Sequence, residues 1–405
     1  MYSTFKIYTI TGDPIALGKQ ISPFVSHIRL ALMVDFAVFA LVWLFHIEEN
    51  AKFRYIFLFL IIWFCFFLFI LQSLTGIVVL LTVAIFYVIV IAFKSKILLV
   101  KWFCVIGIAL LLLLPSTYFV HMYTANFSPE PLDTTSLERV TVNGNAYHHD
   151  TKHLYLENGN YIYLYICEKE LKSEWEKRST LNYDSLDNGG NPLKYTLFRY
   201  LTALGLRKDS AGVSQLSQTD ISHIENSIAN PIYIEKSGIK PRVYRVMWEL
   251  YHYRLGADPS GYSVAQRIEY LKTAFHIIHR NFWFGTGTGD VVNAFQLQYK
   301  EDNSPLNPKW QLRAHNQFVT FFLTFGLVGF LVIMFSLFVS PMLKKRFNDY
   351  LFLTFFIIFA LSMLNEDTLE THASISFIAL FYALLLFSEN RYKPLIVGKE
   401  HVEVG

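Results

Sequence analysis

The stretch from Gly76 to Phe93, GIVVLLTVAIFYVIVIAF, contains no charged residue and is long enough to cross the hydrocarbon of a bilayer as a helix. Its residues show neither the two-residue alternation of a half-buried strand nor the one-sided stripe of a soluble helix, so the whole circumference is apolar. Similar runs lie around it. Leu30 to Phe45, Tyr55 to Leu71 and Ile97 to Val120 complete a first group, and Phe318 to Val339, Tyr350 to Leu364 and Ala373 to Phe387 form a second. The last two are short and need polar anchors at their ends. About seven membrane helices are therefore predicted. Composition agrees, since the 405 residues are 53% hydrophobic and 17% charged, with a mean hydropathy of +0.34; no soluble core needs so much apolar surface.

Lys and Arg in short connections stay on the cytoplasmic side. Lys94, Lys96 and Lys101 lie between the third and fourth runs, Lys344, Lys345 and Arg346 between the fifth and sixth, and Arg391 and Lys393 after the seventh. The acidic connection with Glu366, Asp367 and Glu370 and the long region from His121 to His315 fall on the opposite face. The expected order is an external N-terminal segment (1–27), four transmembrane helices (28–120), a large periplasmic loop domain (121–315), three transmembrane helices (316–388) and a cytoplasmic tail (389–405). The fold class is an all-α polytopic membrane protein whose extracytoplasmic loop domain is mainly helical, with one short β-hairpin. That hairpin is predicted in the Tyr-rich stretch 140–168, where Asn158-Gly159 has the form of a two-residue turn. Ser263 and Gln266 have the spacing of a capping box, and Val264, Ile268, Leu271, Phe275 and Ile278 recur at helical spacing behind them.

Several functions are disfavoured. The net charge of +3 comes from scattered basic residues, so nucleic acid is not an expected partner. Cys65, Cys104 and Cys167 lie in dissimilar surroundings and suggest neither a disulfide nor a thiolate site. GTGTG, at 285–289, follows no parallel-sheet strand and precedes no Lys-Ser/Thr, so it reads as a tight turn and not a nucleotide loop. His148, His149 and His153 lack a further ligand and read as a surface cluster; no metal and no cofactor is expected. The N-terminus has no basic start followed directly by an apolar stretch, and so no cleavable signal peptide is read there. Asp35, inside the first run, must face other helices to avoid lipid.

The sharpest pattern is RIEYLKTAFHIIHRNFWFGTGTGD (267–290) followed by RAHNQFVTFFLTFGLVG (313–329). With Arg267, then Gly285, Gly287 and Gly289, then His315, Asn316, Gly326 and Gly329, it resembles the signature of the O-antigen ligase family, the polymerase-ligase superfamily of bacterial surface glycans. The stretch from about Leu197 to Asp290 and NEDTLETHASISF (365–377) resemble the Bacteroidetes-type members. Where the family commonly has a Ser-Arg-Thr-Gly-like turn, this chain has Ser73-Leu74-Thr75-Gly76, which removes one expected phosphate contact. Members tend to have about twelve spans, so the seven here match the last seven and the first membrane helices are expected to be lacking.

The resemblance implies a multi-pass protein of the bacterial inner membrane. It would transfer a glycan from an undecaprenyl-pyrophosphate carrier to a hydroxyl on lipid A-core, with another glycan or a protein as alternative acceptors, with inversion and without a metal. His315 and Arg267 are the expected catalytic residues. Arg313, Arg29 and Asn316 are expected to bind pyrophosphate, since guanidinium forks match phosphate oxygens and a helix N-terminus favours an anion. Histidine is the residue type best suited to act as a general base near neutral pH, the role expected of His315. Each residue also has an ordinary reading. His315 or Asn316 can cap a helix, Arg267 can pair with Glu269 or Asp258, Arg313 and Arg29 can snorkel to headgroups, and the acidic 366–370 connection can be a solvated loop. A glycolipid transporter or a non-catalytic remnant are the alternatives of a different class.

Overall fold

The computed structural model describes residues 22, 25–71, 73–128, 132–234 and 239–388. Most of the expected N-terminal segment and the whole expected cytoplasmic tail lie outside them. The helices are α1 (His27–Ile47), α2 (Ala51–Leu71), α3 (Leu74–Lys94), α4 (Leu98–Phe127), α5 (Glu168–Arg178), α6 (Leu193–Ala203), α7 (Ser210–Ser214) and α8 (Gln218–Glu225). They continue with α9 (Ile239–Arg254), α10 (Ser263–Arg280), α11 (Val291–Glu301), α12 (Gln317–Leu343), α13 (Tyr350–Met363) and α14 (His372–Phe387). The protein is a polytopic helical membrane protein. Helices α1 to α4 and α12 are each long and apolar enough to cross a membrane, and α13 and α14 are the shorter apolar helices the hydropathy also marked. Their bounds lie within a few residues of the apolar runs, α4 excepted, which continues to Phe127.

By contact the chain divides into two compact units, residues 1–109 with 260–405, and residues 110–259. In the first, Phe36, Phe39, Phe352, Phe355, Phe356 and Phe359 form the centre of a core shared by α1, α3, α13 and α14. Phe36 meets Phe355 and Phe381 edge-on, with ring centroids 5.5 and 5.1 Å apart, a geometry that suits the ring quadrupoles. A second cluster joins Ala31, Val34 and Val38 of α1 to Leu68 and Leu71 of α2. Asp35 lies within this helical packing and is fully buried, as the cost of a carboxyl group in lipid requires. At the start of α3, Ser73 caps Gly76 N–H at 3.3 Å. A Cβ on Gly76 would lie 2.5 Å from that of Ala31, so glycine sets how closely α1 and α3 cross.

In the second unit the hairpin forms where Asn-Gly predicts it. Strands β1 (Leu156–Glu157) and β2 (Asn160–Tyr161) pair antiparallel, and the turn residues Asn158 and Gly159 both have positive φ, 48° and 79°, as this turn demands. Glu157 is fully buried. Its carboxylate accepts from Arg199 Nε at 2.8 Å, Asn230 Nδ2 at 2.6 Å, Tyr244 Oη at 3.2 Å and Trp248 Nε1 at 3.0 Å. Such a satisfied buried charge ties the hairpin to α6 and α9. The helices pack on Leu171, Trp175, Leu197, Tyr200, Leu201 and Ile221. His149 and His153 are engaged locally, His149 Nε2 at 2.8 Å from the Glu138 carbonyl and His153 Nδ1 at 2.7 Å from Asp150.

His252 is expected to make this unit acid-sensitive. Its ring is sandwiched between Trp248, 3.7 Å away, and Tyr155, 5.2 Å away, and its Nε2 is buried without a hydrogen-bond partner. Burial lowers its pKa from the ordinary histidine value to about 4. The unfolded chain therefore takes up a proton on this residue near pH 6.5 and the folded one only near pH 4, so its contribution to stability is complete above pH 6.5 and is lost as pH falls through 4. Hydrogen exchange of the full chain should show the Tyr155 and Trp248 region opening more readily from pH 6.5 to 4, and His252→Phe should flatten that dependence. An unchanged slope in the variant would rule His252 out as its source.

Candidate active site

The candidate site residues Arg29, Arg267, Gly285, Gly287, Gly289, Arg313, His315 and Asn316 all belong to the first unit. Helix α10 packs its buried face, Tyr270, Ala274 and Ile277, against α11 and the start of α12, with Phe295, Tyr299 and Leu323 completing that core. Its N-terminus differs from expectation. The N-cap position falls on Tyr262, whose side chain makes no capping bond, and Ser263 is already helical, so the helix begins one residue too early for the Ser263–Gln266 box.

The glycine-rich turn has a structural task. Helix α12 is broken at Gly326, whose φ of 65° and ψ of −171° suit only glycine. The backbone groups released there are taken up by the segment after α10. Leu327 N–H donates to the Phe282 carbonyl at 2.7 Å and Val328 N–H to that of Trp283 at 3.2 Å, while Thr286 and Gly287 N–H donate to the Leu323 and Thr324 carbonyls, each at 2.9 Å. The two backbones touch. A Cβ on Gly326 would lie 2.3 Å from Phe284 N, and one on Gly285 would lie 2.3 Å from the Thr324 oxygen. This reciprocal clamp fixes α10 to α12 and so fixes Arg267 relative to His315.

Between α11 and α12 the chain makes a short 3-10 helix at Pro308–Trp310 and then continues irregularly to Asn316. Tyr299 Oη donates to the Leu312 carbonyl at 2.6 Å and Ala314 is buried, while Arg313 and His315 on either side of it remain partly exposed. His315 has a positive φ of 51°, uncommon for a residue with a side chain, and its ring lies 5.7 Å from that of Tyr270. Asn316 caps α12 by accepting from Val319 N–H at 3.1 Å, and its Nδ2 donates to the Leu364 carbonyl at 2.9 Å. Both ends of its amide thus hold α12 against the end of α13.

The acidic connection between α13 and α14 corrects the reading of a solvated loop. Asp367 and Thr368 are buried, and the loop is tied down along its length. Thr320 Oγ1 donates to Asp367 at 2.8 Å, Leu369 N–H donates to Gln317 Oε1 at 2.8 Å, and Thr368 Oγ1 lies 3.1 Å from Ser362 Oγ. Its remaining side chains meet the arginines. Arg29 Nη2 is 3.7 Å from Glu366, with side chains only 21% and 14% exposed, and Arg313 forms an ion pair with Glu370. Arg267 Nη1 donates to Asn365 Oδ1 at 3.0 Å, and Asn365 Nδ2 passes on to Thr75 Oγ1 at 3.0 Å. Arg267 thus bonds to a partner outside its own helix, while Glu269 is held by Lys272 at 2.8 Å.

The structure thus brings Arg29, Arg267 and Arg313 to one short loop, with His315 and Asn316 in the chain beside it. Sequence reasoning missed Asn365, Glu366 and Glu370 as partners, and Thr75 as the end of the bridge. The signal was present in NEDTLETHASISF and in the Ser73–Gly76 turn, but neither names its contacts. Leu74, where a basic residue was expected, is exposed, and the turn reaches the cluster through Thr75 instead.

Fold and cluster together define a multi-pass membrane protein that gathers cationic groups and one histidine at helix ends. Residues 230–334 match the O-antigen ligase family model. The match runs from before α9 into α12 and includes Arg267, the glycine clamp, Arg313, His315 and Asn316. No curated protein and no solved structure matches the chain.

Proposed function

We propose that this protein transfers a glycan from an undecaprenyl-pyrophosphate carrier to an acceptor hydroxyl, with lipid A-core as the acceptor, at an inner-membrane site facing the periplasm. The observation that carries this reading is the convergence of Arg29, Arg267 and Arg313 on the 365–370 loop beside His315. A pyrophosphate leaving group gains negative charge as its bond to the sugar breaks, and guanidinium groups held in place stabilise that charge without reorganising. His315 takes the proton from the acceptor hydroxyl while its oxygen bonds to the anomeric carbon and the sugar–phosphate bond breaks on the opposite side. The configuration is then inverted, and the electron pair of the broken bond leaves with the polyprenyl pyrophosphate. Asn316 keeps His315 and the α12 N-terminus against α13, so it serves the anion by positioning.

Arg267→Ala and Arg313→Ala are each expected to lower transfer about a hundredfold, the scale on which loss of one charge-stabilising donor acts. Proteoliposomes supplied with a synthetic carrier-linked glycan and purified lipid A-core measure this directly. Full activity in both variants would refute the arginine assignment. Product formed only on added glycan, or only on protein Ser or Thr, would make the enzyme a polymerase or an oligosaccharyltransferase instead.

A further inference from the structure

Each candidate phosphate-binding arginine finds its partner in the same six-residue loop, and that loop does not move freely. Asp367, Thr368 and the Leu369 backbone anchor it to α12 and α13, while the Glu366 and Glu370 side chains reach out to Arg29 and Arg313. Carboxylate and phosphate oxygens present the same acceptor geometry to a guanidinium. Asn365 differs in kind. It is neutral, and its amide is held on both sides, by Arg267 and by Thr75 of the α3 turn.

We propose that Asn365, Glu366 and Glu370 are positioning residues for the arginine cluster. Asn365 holds Arg267 in place throughout the reaction, and Glu366 and Glu370 are exchangeable counter-ions that keep Arg29 and Arg313 aimed and yield to the donor's pyrophosphate. The proposal rests on the pyrophosphate reading above. It also gives Thr75 a role, since a hydroxyl there orients the Asn365 amide so that its oxygen faces the guanidinium. Because the loop backbone is tied down, exchange needs only side-chain rotation of the two glutamates.

The test is binding of inorganic pyrophosphate to the purified full chain in detergent, with donor kinetics alongside. Glu366→Gln and Glu370→Gln keep shape and remove the competing charge, so each should bind pyrophosphate several-fold more tightly and lower the donor KM. Asn365→Ala should lower kcat at least tenfold, and Asn365→Asp, which retains an oxygen for Arg267, should recover part of it. Melting curves on every variant separate these effects from misfolding. If Arg267→Ala and Arg313→Ala bind pyrophosphate as well as the unaltered chain, the pyrophosphate reading falls and the loop's role with it. If those two lose binding while the glutamine variants bind no more tightly, the counter-ion role alone is overturned. If Asn365→Ala keeps its kcat, the role of Asn365 is overturned.

Discussion

His315→Asn is expected to abolish glycan transfer, by two to four orders of magnitude if the imidazole acts as general base, with the protein present at its normal level in the membrane. Asparagine is the more informative replacement than alanine. His315 holds a φ of 51°, and asparagine tolerates that left-handed conformation better than other side chains do, so the backbone leading into α12 is preserved. What is lost is the imidazole that would take the acceptor's proton. His315→Ala removes the same chemistry but also a ring that packs 5.7 Å from Tyr270. Both variants should therefore be inactive, and the alanine variant should also melt at a lower temperature. The comparison is made by transfer to acceptor in proteoliposomes at matched protein content. Wild-type rates in His315→Asn would remove the residue from the chemistry and leave it a structural part of the helix entry.

Gly326→Ala and Gly285→Ala are expected to be the most damaging small substitutions in the chain. At either position a methyl group must occupy space 2.3 Å from the backbone of the other segment, and the backbone conformation is one that side chains rarely adopt. Holding a side chain at such a backbone conformation alone costs about 1–3 kcal/mol. Opening the clamp further loses the hydrogen bonds that satisfy the broken α12, each worth about 1 kcal/mol and more where water cannot replace them. A total of about 4 kcal/mol places these among the severe single changes. Gly287→Ala is the control. Its φ of 87° is also positive, but a Cβ there would meet nothing within 4 Å, so only the conformational cost remains. Thermal unfolding in detergent should rank Gly287→Ala well above the other two, and equal stability of all three would mean that the Gly285–Gly326 contact does not hold α10 to α12.

Much of the fold was legible because membrane insertion acts on composition over short windows. Uncharged runs such as Gly76–Phe93 must be helical in lipid, where each backbone group needs a partner within its own segment, and the helices begin and end close to those runs. The hairpin was legible for a similar local reason, since Asn158 and Gly159 tolerate the positive φ values of the turn. The Ser263–Gln266 box was misread because a spacing does not establish where a helix starts. Tyr262 already sits at the N-cap position, and the side chains that should have closed the box are inside the helix.

The site was legible as a list of residue types and illegible as a set of contacts. Arg267, Arg313 and His315 could be picked out by pattern, but the partner of Arg267 lies 98 residues away and that of Asn365 lies 290 away. A local reading gave Arg267 the nearest carboxylates and gave the 366–370 loop to solvent. By itself the sequence determined the helical membrane fold, the hairpin turn and the candidate chemistry, all of which depend on neighbours within a turn or a span. Only the tertiary structure decided that Gly285 meets Gly326, that Asn365 bridges Thr75 and Arg267, and that the glutamates occupy Arg29 and Arg313. Those pairings follow from how the helices cross and where their ends meet, and helix packing is set by the whole core and not by any one segment.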